Sequence, residues 1–389
     1  MTAARAFWLV LALGLLAARA PAGDAVPAAL GLSVRKDGVL IKDGRPYRAI
    51  GVNYFNAFCR HLKDPQDTGF EAGFKALAEA KIPFVRMMGC AFWPTEQKPY
   101  QENKEEFFRR FDAVVKAAEQ HGIGLIPSLF WNVATVPDLV GEPVSEWGNP
   151  QSKTHEYMRA YVKDVVTRYK DSPAIWGWEF GNEFNLGANL PNAAQHRPQV
   201  VPQLGTAKSR SEKDEWTYEI VRAAFAAFAA EVRRYDPHRV ISTGDSFPRD
   251  CAWHNWKEKK WTKDTPEQFA EMLLGDNPDP VSIVSAHAYG DEAGRIRQAG
   301  AITAKAGKPL FVGEFGAPGP QEKSEKEFQA LLKAVEETEV PLAALWVYDF
   351  GHQKDWCVTA ANERSYQLRA ISAANERIRA ALSRRTEPK

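Results

Sequence analysis

Two glutamates stand where apolar, strand-forming runs end. Glu183 lies in AIWGWEFGNEFN (Ala174 to Asn185), and Glu314 lies in KPLFVGEFGAP (Lys308 to Pro318). In parallel α/β folds the carboxyl ends of the strands form the face that carries chemistry. Two carboxyl groups meeting in one cleft can divide the cutting of a glycosidic bond. One gives a proton to the leaving oxygen, and the other attacks or stabilises the sugar carbon. An acid that stays protonated near neutral pH needs burial or a nearby negative charge. Trp176, Trp178, Phe180 and Phe184 give Glu183 apolar neighbours. A carboxylate that stays ionised needs a cation or hydrogen-bond donors. Arg86, in RMMG, and Tyr289, in SAHAYG, are the candidates to serve Glu314. His287 shares one strand side with Tyr289, because residues two apart point the same way. Asn182 precedes Glu183 and suits donation to a sugar hydroxyl beside the reacting carbon.

These residues need a frame that brings distant strand ends together. The chain alternates strand and helix from Arg48 onward. Strand candidates are Arg48–Val52, Phe84–Met87, Gly124–Phe130, Ile175–Phe180, Val240–Thr243, Ile283–Ala286, Leu310–Gly313 and Ala343–Val347. Between them, Phe107, Phe111, Val114 and Ala118 mark one helical face. Val221, Phe225, Phe228 and Val232 mark another, and Leu368, Ile371, Ile378 and Leu382 a third. The pattern predicts a (β/α)8 TIM barrel with a short N-terminal β-hairpin and long βα loops. In the hairpin, Val39–Ile41 and Tyr47–Val52 flank an Asp43-Gly44 turn. A doubly wound sheet is the alternative, but no GxGxxG or Walker loop is present. Stretches 88–102, 131–151, 185–211 and 246–265 are longer than a plain barrel needs and follow strands, on the presumed active face. They carry Trp93, Trp131, Trp147, Trp253, Trp256 and Trp261, of which about half are expected to touch substrate.

The chain has 389 residues. Residues 1–22 read as a signal peptide, with Arg5 before the apolar run Ala6–Ala18 and cleavage after Ala22. The alternative is an uncleaved anchor. A linker, 23–31, and a single catalytic domain, 32–389, follow, and the protein is expected to be secreted or periplasmic. Removing residues 1–22 takes Arg5 and Arg19 and no acid, which turns 50 basic and 49 acidic residues into 48 and 49. That balance gives nothing to neutralise phosphates, which argues against nucleic acid or a membrane surface and fits a neutral substrate. Cys59, Cys90, Cys251 and Cys357 are spaced too widely for a zinc ribbon or a CxxC motif. Disulfides between loops of one face and buried free thiols are equal readings.

The whole set resembles clan A of the glycoside hydrolases, and family 5, the cellulase and β-mannanase family, in particular. The matches keep strand order from the hairpin at Val39 to the last helix near Leu382: Arg86 on strand two, Asn182-Glu183 on four, His287 and Tyr289 around six, Glu314 on seven, Trp346 on eight. The resemblance implies that Glu183 is the general acid/base and Glu314 the nucleophile of a retaining double displacement. It implies that Arg86 and Tyr289 hold Glu314 and that Asn182 contacts the 2-hydroxyl. His287 would support the acid/base network, and Trp346 would floor the −1 subsite. Two features depart from the family. Many members carry a histidine at the end of strand three, where this chain has SLFWN (Ser128 to Asn132), so Trp131 or Asn132 is expected to take over its contact. Phe184 stands where proline is common. The implied substrate is a β-linked polysaccharide or oligosaccharide, with a lean to β-1,4-mannan over β-1,4-glucan. No metal or organic cofactor is required.

Other readings compete. Gly244-Asp245-Ser246, with Asp349 and His352, resembles a Gly-Asp-Ser esterase, although that family places its motif near the start of the domain. A barrel that binds sugar without turnover is a second rival. A metal-dependent barrel hydrolase fits less well, since no His-x-His follows strand one.

Overall fold

The computed structural model describes residues 30–319 and 321–386. The signal-peptide reading and most of the linker lie outside them. Eight parallel strands form the central sheet: β1 (Ala49–Asn53), β2 (Phe84–Met88), β3 (Gly124–Ser128), β4 (Gly177–Glu179), β5 (Val240–Ser242), β6 (Val284–Tyr289), β7 (Leu310–Gly316) and β8 (Leu342–Leu345). Their order is β5-β4-β3-β2-β1-β8-β7-β6, with helices between consecutive strands, so the predicted (β/α)8 barrel is borne out. The strand ladder is open between β5 and β6, and one backbone bond and two side chains close the seam. Ser282 donates its N–H to the Ile241 carbonyl (3.0 Å), and its hydroxyl accepts from the Ile241 N–H (2.6 Å). Asn277 Oδ1 accepts from the Thr243 hydroxyl on one side and the Ser285 N–H on the other, both at 2.9 Å.

The N-terminal hairpin differs in detail from its prediction. Leu40–Lys42 pairs with Arg45–Pro46, the Tyr47 N–H closes the ladder on the Leu40 carbonyl (2.9 Å), and Leu32–Val34 adds a third antiparallel strand. Asp43 (φ 51°) and Gly44 (φ 75°) make the tight turn, so only two residues separate the arms. This small sheet caps the end of the barrel opposite the site. Leu32 and Leu40 pack with Ala49, Phe84, Ile126, Trp176, Val240, Ile283, Phe311 and Leu342, at or near the first residues of the barrel strands. Gly124 faces Trp176 so closely that a Cβ there would overlap the indole.

The three helical faces read from spacing are buried against the barrel, in helices Lys104–His121, Tyr218–Tyr235 and Tyr366–Thr386. Asn103 caps the first by accepting from the Glu106 N–H, and Gly122 (φ 64°) ends it. The long loops follow the carboxyl ends of β2 to β5, as expected, and carry short helices such as Pro94–Gln97, Thr135–Val140 and Ala252–Glu258. All four cysteines are free, and three are buried, so the disulfide reading is corrected. Cys59 instead donates to the Cys90 carbonyl (3.0 Å). Among the described residues no helix is long and apolar enough to cross a membrane.

Asn375, on the last helix, stands in for a missing strand partner. Strand β2 pairs only Val52 and Asn53 of β1. The Ile50 N–H and carbonyl are satisfied instead by the buried Asn375 carboxamide, both at 2.8 Å. Asn375→Ala strands two buried backbone groups and is expected to cost about 2–4 kcal/mol. Urea unfolding should show a lower midpoint at unchanged slope.

Candidate active site

Each strand from β1 to β7 sends a polar side chain to one end of the barrel. Arg86 of β2 is the centre and is wholly buried. Its Nε donates to Glu179 Oε1 of β4 (2.6 Å), and its Nη1 donates to Glu314 Oε1 of β7 (2.6 Å) and to Asn53 Oδ1 of β1 (3.1 Å). Its Nη2 donates to Asn182 Oδ1 (2.9 Å). Glu179 accepts further from the hydroxyls of Ser128 on β3, in a short contact, and Ser242 on β5 (3.1 Å). One guanidinium thus ties two buried carboxylates, a geometry that arginine's planar fork of donors allows and lysine's does not.

Glu314 is aimed by a bulge. The β6–β7 register shifts between Val312 and Glu314, which brings Glu314 opposite His287. Such an extra residue bends a strand and redirects a side chain. The skipped residue is Gly313, where a Cβ would lie 3.0 Å from His287 Nε2. Tyr289 donates its hydroxyl to Glu314 Oε2 in a short contact. Glu183 lies just past β4, in the left-handed region (φ 56°), and its carboxylate Oε1 is 2.9 Å from His287 Nδ1. His287 Nδ1 is 3.6 Å from Glu314 Oε2. Oxygens of Glu183 and Glu314, and a ring nitrogen of His287, lie within 4.8 Å of one another. Three such donors could surround a cation, but the Arg86 guanidinium already occupies Glu314 and would repel one.

The two carboxyl groups differ in their partners. Burial pushes both above the ordinary carboxylate range. Arg86 and Tyr289 bond Glu314 directly and oppose that rise, which favours its anion. Among the described residues Glu183 has no arginine or lysine bonded to it, so it is the better proton carrier. Burial also pushes His287 down to about 4, so the ring is neutral at pH 7. Its Nε2 is buried without a partner. A bare lone pair there costs less than an unpaired N–H, which assigns the proton to Nδ1, donating to Glu183. The Tyr289 hydroxyl, raised well above its usual pKa by burial, stays protonated.

An aromatic wall completes the site. Trp346, after β8, lies 5.4 Å from Phe55 and 6.2 Å from Trp131 by ring centroids, and its indole N–H donates to Gln353 Oε1 (2.7 Å). Trp131 covers the Arg86 guanidinium at 4.6 Å. The cleft has two lobes that share Phe92, Trp93, Trp131, Asn182 and Glu183. The larger, about 650 Å³, holds Glu314, Tyr289, Trp346 and Trp356. The smaller, about 320 Å³, is lined by Asn132, Trp216 and Arg210. Asn132 also accepts from the Ala134 N–H (3.0 Å).

Every predicted site residue therefore lies in or against one cleft. Of the six loop tryptophans, only Trp93 and Trp131 line it, fewer than expected. Trp147 is a core residue, and Trp253 and Trp256 give their N–H groups to Glu271 and Glu219. Asn53, Ser128, Glu179 and Ser242 were missed. Only Glu179 carried a signal, as an ionisable residue inside an apolar strand. Ser246 follows β5, while Asp349 follows β8 and accepts from Arg60 (2.6 Å) and Tyr54 (3.0 Å), so the esterase triad does not assemble.

A barrel with paired carboxyl groups at the ends of its fourth and seventh strands defines the class. Residues 42–350 match the family model for cellulase, glycosyl hydrolase family 5, and the chain belongs to that family. Mannan endo-1,4-beta-mannosidase F of Aspergillus clavatus is 40% identical over 222 residues, which are 54% of this chain and 44% of that protein. The chain thus spans less than half the length of that relative. In fold it is similar to the endo-1,4-beta-mannanase of Rhizomucor miehei, with a TM-score of 0.66 and 14% identity over 90% of this chain and 100% of that one. It is also similar to an exo-beta-1,4-mannosidase from Opitutaceae bacterium strain TAV5, with a TM-score of 0.59 and 15% identity over 89% and 62% of the two chains.

The His287 assignment is directly measurable. Nitrogen-15 NMR of the imidazole should show a neutral ring protonated on Nδ1 at pH 6, charging only near pH 4. A ring that titrates near 6.5 would contradict it.

Proposed function

We propose that the protein is a retaining β-glycoside hydrolase acting on β-1,4-mannan or related β-glycans. Glu314 is the nucleophile and Glu183 the general acid/base. The observation that carries this reading is the carboxyl pair itself. Oxygens within 4.8 Å suit direct attack at the anomeric carbon. Inverting enzymes leave about 6.5–9.5 Å between carboxyl groups for a water. In the first step a Glu314 oxygen bonds to the anomeric carbon as the bond to the leaving oxygen breaks, and Glu183 gives that oxygen its proton. In the second, Glu183 takes a proton from water, whose oxygen displaces Glu314.

The neighbouring groups support both steps. Asn182 Oδ1 is occupied by Arg86, so its Nδ2 is left to donate toward the sugar 2-hydroxyl. Trp346 offers an apolar floor to the sugar ring. Among the described residues Arg86 is the sole arginine or lysine bonded to Glu179 and Glu314, so the cluster holds an excess of negative charge, which favours an oxocarbenium-like transition state. The lean to mannan rests on the mannanase relatives. Residues 1–22 are proposed to direct export, and residues from 32 onward to form the catalytic domain.

Reducing ends released from mannan, glucomannan, a cellulose derivative, mixed-linkage glucan and xylan test the substrate, with the mannans expected fastest. Glu314→Ala should lose roughly three to six orders of magnitude in rate. A parent-like rate would remove Glu314 from the mechanism, and binding without released ends would favour a sugar-binding barrel.

The pH profile of kcat/KM should be a bell, lost toward acid as Glu314 protonates and toward base as Glu183 deprotonates. Glu179→Gln removes a negative charge beside Arg86, which frees more of the guanidinium's field for Glu314. Both limbs should move to lower pH, the acidic limb further. An unmoved acidic limb would show that Glu179 does not tune the nucleophile.

A further inference from the structure

The Gly244-Asp245-Ser246 segment has no esterase partners, yet it is built tightly against Glu183. The β4–β5 pairing continues past both strands, and the Glu183 N–H donates to the Gly244 carbonyl (3.0 Å). Gly244 (φ 78°) admits no side chain, since a Cβ would overlap the Gly181 carbonyl. Asp245 is completely buried. Its Oδ1 accepts from the Asn185 N–H (3.3 Å). Asn185 answers through its side chain, which donates to the Ser246 carbonyl (2.9 Å) and accepts from the Ser246 N–H (3.3 Å). Glu183 itself is held in a left-handed conformation that a residue with a Cβ adopts only when its surroundings impose it.

We propose that Asp245 is a positioning residue for Glu183: it fixes the Asn185 amide just beyond the acid/base residue and so holds that carboxyl over the cleft. The inference rests on Glu183 being the acid/base. Among the described residues the Asp245 carboxyl has no cation bonded to it, and its Oδ2 has no partner. Burial and the nearby Asp276 push it well above the ordinary carboxylate range. A carboxamide at this position offers the Asn185 amide the same acceptor oxygen. Asp245→Asn therefore preserves the anchor, and Asp245→Ala removes it.

The test compares two leaving groups. A sugar leaving group needs the proton from Glu183, whereas 2,4-dinitrophenolate leaves without one. We would measure kcat/KM, which reports bond cleavage, on mannopentaose and on 2,4-dinitrophenyl β-mannobioside. Asp245→Ala should lose about 10- to 100-fold on mannopentaose, the scale of a slightly misplaced catalytic group. It should change less than about 3-fold on the dinitrophenyl glycoside, within the error of an untouched proton-free step. Asp245→Asn should stay near the parent on both. Glu183→Ala is the control and should show the same split at larger amplitude. If Glu183→Ala loses both substrates equally, the acid/base assignment fails. If it shows the split and Asp245→Ala does not, the positioning role alone is overturned. Should the alanine variant unfold, Asp245→Leu, with the same branching and no acceptor, takes its place in the comparison.

Discussion

The site depends on one buried cation. Arg86 joins Glu179 and Glu314 through charge-assisted hydrogen bonds, with none of the three exposed by more than 4% in its side chain. Such clusters are weak contributors to stability, because desolvating the ions offsets most of their attraction. Their use here is positional and electrostatic. The guanidinium sets the angle of Glu314, favours its anion, and fixes Asn182 beside Glu183. Trp131 lies over its face and limits water, which keeps these interactions strong.

The rest of the barrel is arranged so that this cluster cannot relax. Its members stand on different strands, and each strand is held by a ladder to its neighbours. At the single break in the ladder, Ser282 and Asn277 supply the missing bonds. The two carboxyl groups are then separated by their partners. Glu314 sits within the strand system, on a bulge, between a cation and a hydroxyl. Glu183 sits one step beyond β4, on a strained residue braced by the turn after β5. Glu314 is given rigid donors, and Glu183 is given a ring nitrogen of His287 and no direct bond to Arg86.

Much of the frame was legible from residue order. Apolar runs marked all eight strands because buried parallel strands are apolar on both faces. The same property hid Asn53, Ser128 and Ser242. With both faces buried, alternation does not tell which residue points to the site. Helical faces were legible because their other sides meet water. The tryptophans misled because an indole finds burial and an acceptor wherever it falls, as Trp253 and Trp256 do beside Glu271 and Glu219. The Gly-Asp-Ser motif, a rival reading only, is a short pattern whose chemistry depends on neighbours it does not have.

Taken alone, the order of residues determined the barrel, the strand ends that carry Glu183 and Glu314, and the partners available to them. These follow from local hydrophobic pattern and side-chain type. Only the tertiary structure decided that Arg86 is shared with Glu179, that Gly313 is skipped so that Glu314 faces His287, and that Asp245 lies behind Glu183. Each of these depends on strand register and on contacts between segments far apart in the chain. Such contacts are set by packing and by the pairing of buried charges, which no local pattern encodes.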